Sequence, residues 1–147
     1  MEHLWSVICR FSMVNQESRN ISLIEVLEQV AFDGDAGVTR LNFPFELVSM
    51  WWRTDLDCGE RARMRVLVQA PDGNVLNQDN PMEFEVDLEQ YPKLRVNARF
   101  SGLPFGGTGI YRFILQAQTD DQWKEITVIP LEVTRRQTSS DRVELQS

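Results

Sequence analysis

The stretch GIYRFILQAQ at residues 109–118 decides the fold, because it reads as a strand that leads directly into a turn. The polar residues TDDQ follow it at 119–122, and a second apolar run, WKEITVIPLEV, spans residues 123–133. Two such runs joined by a short polar turn are typical of a β-hairpin. Tyr111 lies just inside the first strand. The stretch therefore predicts a hairpin that closes an antiparallel sandwich, an architecture with no chemistry of its own.

Alternation of apolar and polar residues with a period of two runs through much of the remaining chain. It appears in four further segments, at residues 5–13, 62–68, 82–88 and 94–100. Turn residues separate these segments, and strands at this spacing indicate a sandwich. The sequence predicts an all-β, antiparallel immunoglobulin-like β-sandwich of seven or eight strands over residues 1–134. Residues 135–147 are polar and aperiodic, and they predict a disordered tail.

Residues 21–32 allow two interpretations. Apolar side chains such as Leu23, Leu27 and Val30 recur at helical spacing, and Ser22 with Glu25 is typical of a helix capping box. The β-branched residues and the neighbouring strands favour a strand instead. We expect a strand, with the helix as the alternative.

Composition limits the partners and the compartment. The formal net charge is −7 and the pI is about 4.7, so the mean surface repels phosphate backbones and predicts no nucleic-acid partner. No apolar run approaches the roughly 18 residues that a membrane-spanning helix needs. Residues 1–10 do not have the pattern of a secretory signal. The two cysteines, Cys9 and Cys58, show no CxxC spacing. These features predict a cytoplasmic protein with no membrane partner, in which Cys9 is buried.

Catalytic and cofactor motifs are not recognisable in this sequence. His3 is the only histidine, whereas acyl-transfer triads and most zinc sites need a positioned imidazole or several. The glycine-rich residues 102–109 precede a predicted strand, and a phosphate cradle needs a helix N-terminus there. The expectation is a protein that is not an enzyme and holds no cofactor.

Calcium is the ionic ligand that the sequence favours most. Aspartates collect in the predicted turns, and the candidates are Asp33, Asp35, Asp120 and Asp121. Hard cations bind several converging oxygens, but an EF-hand beginning at Asp33 fails, because Gly37 and Pro44 occupy ligand positions. Aspartate is also a favoured turn residue. The sequence thus predicts no metal site, and it keeps a calcium- or small-ligand-binding module as an alternative.

Two oppositely charged segments predict a strand pair. Arg61, Arg63 and Arg65 alternate on one, while Glu83, Glu85 and Asp87 alternate on the other. Antiparallel pairing of the two would set opposite charges across the ladder. In the alternative, the acidic strand pairs with the following segment and meets Arg95 and Arg99.

Tryptophan is abundant for a chain of this length, with four residues. Trp51 and Trp52 are adjacent, so on a strand they point to opposite faces, one inward and one outward. An outward tryptophan can anchor a protein contact, be covered by the chain itself or stack on a sugar ring. The interface candidates are Trp51, Trp52 and Trp123.

Two resemblances rest on these residues. Residues 103–113 and 129–133 resemble the last strands of immunoglobulin-like sandwiches, in which a tyrosine placed like Tyr111 forms the tyrosine corner. The chain as a whole resembles a family of small bacterial proteins of unknown function. That likeness rests on residues 21–27, 43–44, 70–73 and 109–113. It implies a cytosolic immunoglobulin-like sandwich and supplies no catalytic residues.

Taken together, these features favour a non-enzymatic protein-interaction or assembly module. Its partner would be another protein or a second copy of the chain, which would make a homodimer. The alternatives are the calcium- or small-ligand-binding sandwich and a carbohydrate-binding module that uses an exposed tryptophan.

Overall fold

The computed structural model describes residues 1–32, 39–40, 43–55 and 59–136. These residues are all-β and include no helix, so none that could span a membrane. They form eleven strands: β1 Glu2–Val14, β2 Ile21–Val26, β3 Gln29–Phe32, β4 Thr39–Arg40, β5 Phe45–Trp52, β6 Arg61–Gln69, β7 Met82–Asp87, β8 Lys93–Phe100, β9 Pro104–Phe105, β10 Gly109–Thr119 and β11 Gln122–Arg135.

The strands form two large sheets and one small one. One sheet has the order β2-β1-β5-β8, and the other has the order β3-β11-β10-β6-β7. All pairs are antiparallel except β3 with β11, which is parallel. The two-residue strands β4 and β9 pair separately. The strand number exceeds the expected seven or eight because of this small pair and because residues 21–32 form two strands.

Residues 21–32 are extended, so the strand expectation is confirmed and the helix alternative is wrong. β2 pairs with β1, and the chain then passes to the other sheet, where β3 pairs with β11. Leu27 lies at this crossing and is buried, as are Val30 and Phe32. The change of sheet interrupts the period of two, which explains why the apolar residues imitate helical spacing.

The last strand, β11, extends to the first residue of the predicted tail. Arg135 ends β11 and pairs with Phe32. The rest of the predicted tail, residues 137–147, lies outside the described residues.

The core lies between the two large sheets. Phe45 and Phe100, neighbours on β5 and β8, stack with ring centroids 5.3 Å apart. Phe113 of β10 meets them edge-on from the other sheet, at 5.8 and 5.5 Å. Edge-to-face rings at these distances stabilise a core beyond the area that they bury.

The face of β1 that carries Cys9 points away from this core. Ile8, not Cys9, belongs to the core cluster, and yet Cys9 is fully buried, as predicted. The far end of β1 and the following turn lie over the outward face of the sheet: Ser12 Oγ donates to Glu46 Oε2 (2.8 Å), and Arg95 donates to the Arg19 carbonyl (3.1 Å). This arm covers part of the sheet's outer surface.

Candidate interaction surface

Trp51 and Trp52 end β5 and point to opposite faces, as the period of a strand requires. Trp51 is 2% exposed and packs edge-on against His3, with ring centroids 5.0 Å apart. Its indole Nε1 donates to Ser49 Oγ at 2.9 Å. Trp51 therefore fills the core and leaves no surface for an interface. Trp52 is 39% exposed and is the outward member of the pair.

Trp52 lies in an exposed apolar cleft of about 500 Å³ with Tyr91 and Pro92. Tyr91 is 64% exposed. The cleft forms because Trp52 pairs with Lys93 across β5 and β8, and because Arg53 N–H donates to the Pro92 carbonyl at 2.8 Å. Sequence reasoning missed Tyr91, which lies between two strands where no periodicity marks it.

Charged groups border the indole ring. Lys93 Nζ lies 6.0 Å from the centroid of the Trp52 ring, and the indole Nε1 donates to the Glu2 carboxylate. A cation over an indole face contributes roughly 0.5–1 kcal/mol at exposed sites. These two contacts restrict the orientation of the ring, much of which stays exposed.

The predicted charge ladder on the other sheet is confirmed. β6 pairs with β7, so that Arg61 lies opposite Asp87 and Arg63 lies opposite Glu85. Ion pairs across the two strands include Arg61–Asp87 at 3.2 Å and Arg63–Glu83 at 3.1 Å, and Arg61 also lies 3.0 Å from Glu89, just beyond β7. Asp87 is the main cause of a raised pKa of the Arg61 guanidinium. The alternative pairing of β7 with β8 is wrong, because the two strands lie in different sheets.

Trp123 is covered by its own sheet. The guanidinium carbon of Arg65 lies 4.2 Å from the Trp123 ring centroid, and Arg65 Nε donates to Gln116 Oε1 at 2.7 Å. The stacked arginine occupies one ring face, so Trp123 is a weaker interface candidate than Trp52.

The predicted calcium candidates divide into two sets. Asp120 and Asp121 form the two-residue turn between β10 and β11, with φ of 51° and 65°. Two consecutive positive φ values define the type I′ hairpin turn, which aspartate tolerates. Asp33 and Asp35 lie outside the described residues. Within the described part of the chain, no three acidic, histidine or cysteine side chains are grouped to hold a metal ion.

His3 and Cys9 are both packed within the fold. His3 Nε2 lies 2.6 Å from Ser6 Oγ, and burial lowers the pKa of the imidazole. Burial, with a smaller contribution from Glu46, raises the pKa of the Cys9 thiol. A raised pKa disfavours the reactive thiolate. Both shifts favour the neutral side chain, as packing roles require. Cys58 lies outside the described residues.

The outward face of β8 carries a row of three cations. Lys93, Arg95 and Arg99 follow one another on it, beside the Trp52 cleft. Among the residues with known positions, no carboxylate lies within 4 Å of these three cations.

Comparison of the sequence with known family models and with curated proteins gives no match, so the assignment of a function depends on this surface.

Proposed function

We propose that this chain is a non-enzymatic protein-interaction or assembly module of the cytoplasm, built on an immunoglobulin-like sandwich. The observation that carries the proposal is the cleft in which Trp52 and Tyr91 are exposed side by side. Tryptophan, tyrosine and arginine are the residues that most often dominate binding energy at protein interfaces.

The strand order supports the immunoglobulin-like part of the proposal. β11, β10, β6 and β7 follow one another as the G, F, C and C′ strands do in a variable-type domain, while β1, β5 and β8 correspond to A, B and E. Tyr111 Oη donates to the Gly107 carbonyl at 2.8 Å, which is the bond of a tyrosine corner. Membership of the bacterial family that the sequence resembles stays a prediction.

Trp52 is suited to anchor a partner because its exposed ring lies on a rigid strand that needs little rearrangement when a partner binds. Its strand is paired on both sides, by β1 and by β8, so the backbone beneath the ring is rigid. A preformed site costs less conformational entropy on binding. Its partner is another protein or a second copy of the chain.

The test compares Trp52→Ala with Val128→Ala, an exposed apolar residue at the outward face of the other sheet. Sedimentation velocity over micromolar concentrations reports self-association, and affinity capture from the native host reports other partners. We expect the association to weaken about tenfold or more in Trp52→Ala and to persist in Val128→Ala. Equal behaviour of both variants and the wild type in both assays contradicts the proposal.

A carbohydrate ligand is the second candidate, and the same cleft favours it. An exposed indole beside a phenol offers two flat faces on which sugar rings stack. Titration with soluble oligosaccharides, read as a fluorescence change that is present in the wild type and absent in Trp52→Ala, would support it. If none of the oligosaccharides changes the fluorescence of the wild type, the carbohydrate hypothesis is wrong.

A further inference from the structure

β8 is the free edge of its sheet within the described residues, where the order is β2-β1-β5-β8. Its eight residues pair with β5 along one side without a register shift. No described residue makes a backbone hydrogen bond along its other side. A strand edge of this kind is a template for a further strand.

Natural sheets blunt their free edges with proline, bulges, inward-pointing charges or charged outward side chains. β8 has only the last of these, the cations Lys93, Arg95 and Arg99, which repel a second basic strand. β8 contains no proline, and its inward residues are apolar. Leu94 and Val96 are only half-buried, although both pack against the core. A strand added at this edge would bury the rest of their surface.

The outward face of β8 specifies the charge of such a strand. Lys93 and Arg99 are exposed, and Arg95 lies between them with its guanidinium on the Arg19 carbonyl. Lys93 and Arg99 are six residues apart, about 20 Å along a strand. An added strand would present its outward side chains opposite these cations, where acidic residues stabilise the pair and basic ones destabilise it.

The molecule already contains one strand pair of this kind. β6 has outward arginines and inward Ala62, Met64 and Val66, and it is partnered by β7, in which acidic and apolar residues alternate as MEFEVD. β8 resembles β6, with cations outward and apolar residues inward, but no described strand pairs with its second side. β7 therefore shows the kind of sequence that the edge of β8 fits.

We propose that the free edge of β8 binds an extended segment of a partner protein in which acidic and apolar residues alternate. The segment adds a strand to the sheet through backbone hydrogen bonds, which is a recurring mode of peptide recognition. The proposal rests on the interaction function proposed above and names the class of partner. The Trp52 cleft, at the Lys93 end of the strand, would accept an apolar side chain that flanks the segment.

A second copy of the chain fits this edge less well. Pairing β8 with β8 of another copy sets cations against cations, which is destabilising. The acidic strand β7 has its carboxylates engaged, with Glu83 and Glu85 at 3.1 and 3.4 Å from Arg63 and Arg61. A nucleic acid would match the cations but would leave the half-buried Leu94 and Val96 uncovered.

The test uses the full chain and a fluorescein-labelled peptide with the sequence of residues 80–89, NPMEFEVDLE, followed by fluorescence anisotropy. We expect saturable binding to the wild type, and no binding of the same peptide carrying Glu83→Lys, Glu85→Lys and Asp87→Lys. The double variant Lys93→Glu with Arg99→Glu should weaken binding about tenfold or more, the equivalent of roughly 1.4 kcal/mol.

The matched control is Arg112→Glu with Lys124→Glu, two exposed cations of the other sheet, which should bind the peptide like the wild type. Thermal melts confirm that each variant is folded. Absence of peptide binding, equal binding of the charge-reversed peptide, an equal loss in the control variant or tighter binding of a single-stranded oligonucleotide would each overturn the proposal.

This result is separable from the test of the general function. If the peptide does not bind but Trp52→Ala still disrupts an interaction of the full chain, the assignment of β8 falls and the interaction function stands. If both tests are negative, both proposals fall.

Discussion

β6 and β8 follow the same pattern, but they occupy different positions in the fold. Each carries cations on its outward face and apolar residues on its inward face. β6 lies between β10 and β7, and its arginines Arg61 and Arg63 meet carboxylates. β8 has β5 on one side only, and its cations meet none within the described chain. The comparison indicates that a similar local pattern is paired within the sheet in one place and left at a sheet edge in another, depending on the strand order.

The largest expected effect compares the inward valines of the two strands. Val66 of β6 is fully buried, whereas Val96 of β8 is half-buried. Val66→Ala should lower the free energy of unfolding by about 2–3 kcal/mol, because the loss of buried methyl groups adds to the cost of a cavity. Val96→Ala should cost about 1 kcal/mol or less. Urea unfolding measures both, and equal costs would mean that the edge of β8 is covered.

A smaller effect compares the outward arginines. Arg63→Ala removes an exposed ion pair with Glu83 and should lower the free energy of unfolding by about 0.2–1 kcal/mol in dilute buffer and by less in high salt. Arg99→Ala removes no close ion pair with any described residue and should stay within about 0.5 kcal/mol of the wild type. Thermal melts at two salt concentrations check this. A salt-sensitive loss in Arg99→Ala that matches Arg63→Ala would show that the cations of β8 already have a partner.

The smallest expected effect is the pH dependence of stability that His3 causes. His3 belongs to a row of paired residues that crosses the sheet to β8. His3 pairs with Trp51, and Trp51 pairs with Leu94 of β8. Burial lowers the pKa of His3 in the folded state, so the unfolded chain binds more protons once the pH falls below the ordinary histidine value. Stability contributed by neutral His3 is therefore present above about pH 6.5 and is lost as the pH falls towards the lowered pKa.

The check is the melting temperature of the wild type and His3→Gln between pH 7.5 and 5.5. The wild type should lose more stability over this interval than the variant does, because carboxylates contribute equally to both. Parallel curves for the two proteins would contradict the assignment of a buried, neutral imidazole.

Much of the fold could be predicted because apolar and polar residues alternate without interruption in strands that stay in one sheet. β6 and β7 follow directly from the sequence, whereas their pairing was one of two alternatives that the sequence allowed. The pattern failed at Leu27, where the chain changes sheets, and a local period cannot register such a change. It also gave no sign that the face of β1 that carries Cys9 points outward, since the arm that covers this face is formed by tertiary contacts.

The candidate site was harder to predict for related reasons. A period of two places Trp51 and Trp52 on opposite faces but does not say which face is inside. Tyr91 lies in a turn without periodicity. The exposure of β8 follows from its position at the end of a sheet, and strand order depends on contacts between residues far apart in the sequence.

The edge of β8 can be tested most directly by amide hydrogen exchange of the full chain, with and without a saturating amount of the peptide of residues 80–89. Binding at this edge predicts slower exchange within residues 93–100 and unchanged exchange within residues 61–69. Faster exchange within residues 82–87, with no change within residues 93–100, would show that the peptide displaces β7 from β6. That result would contradict the account, as would unchanged exchange in all of these strands.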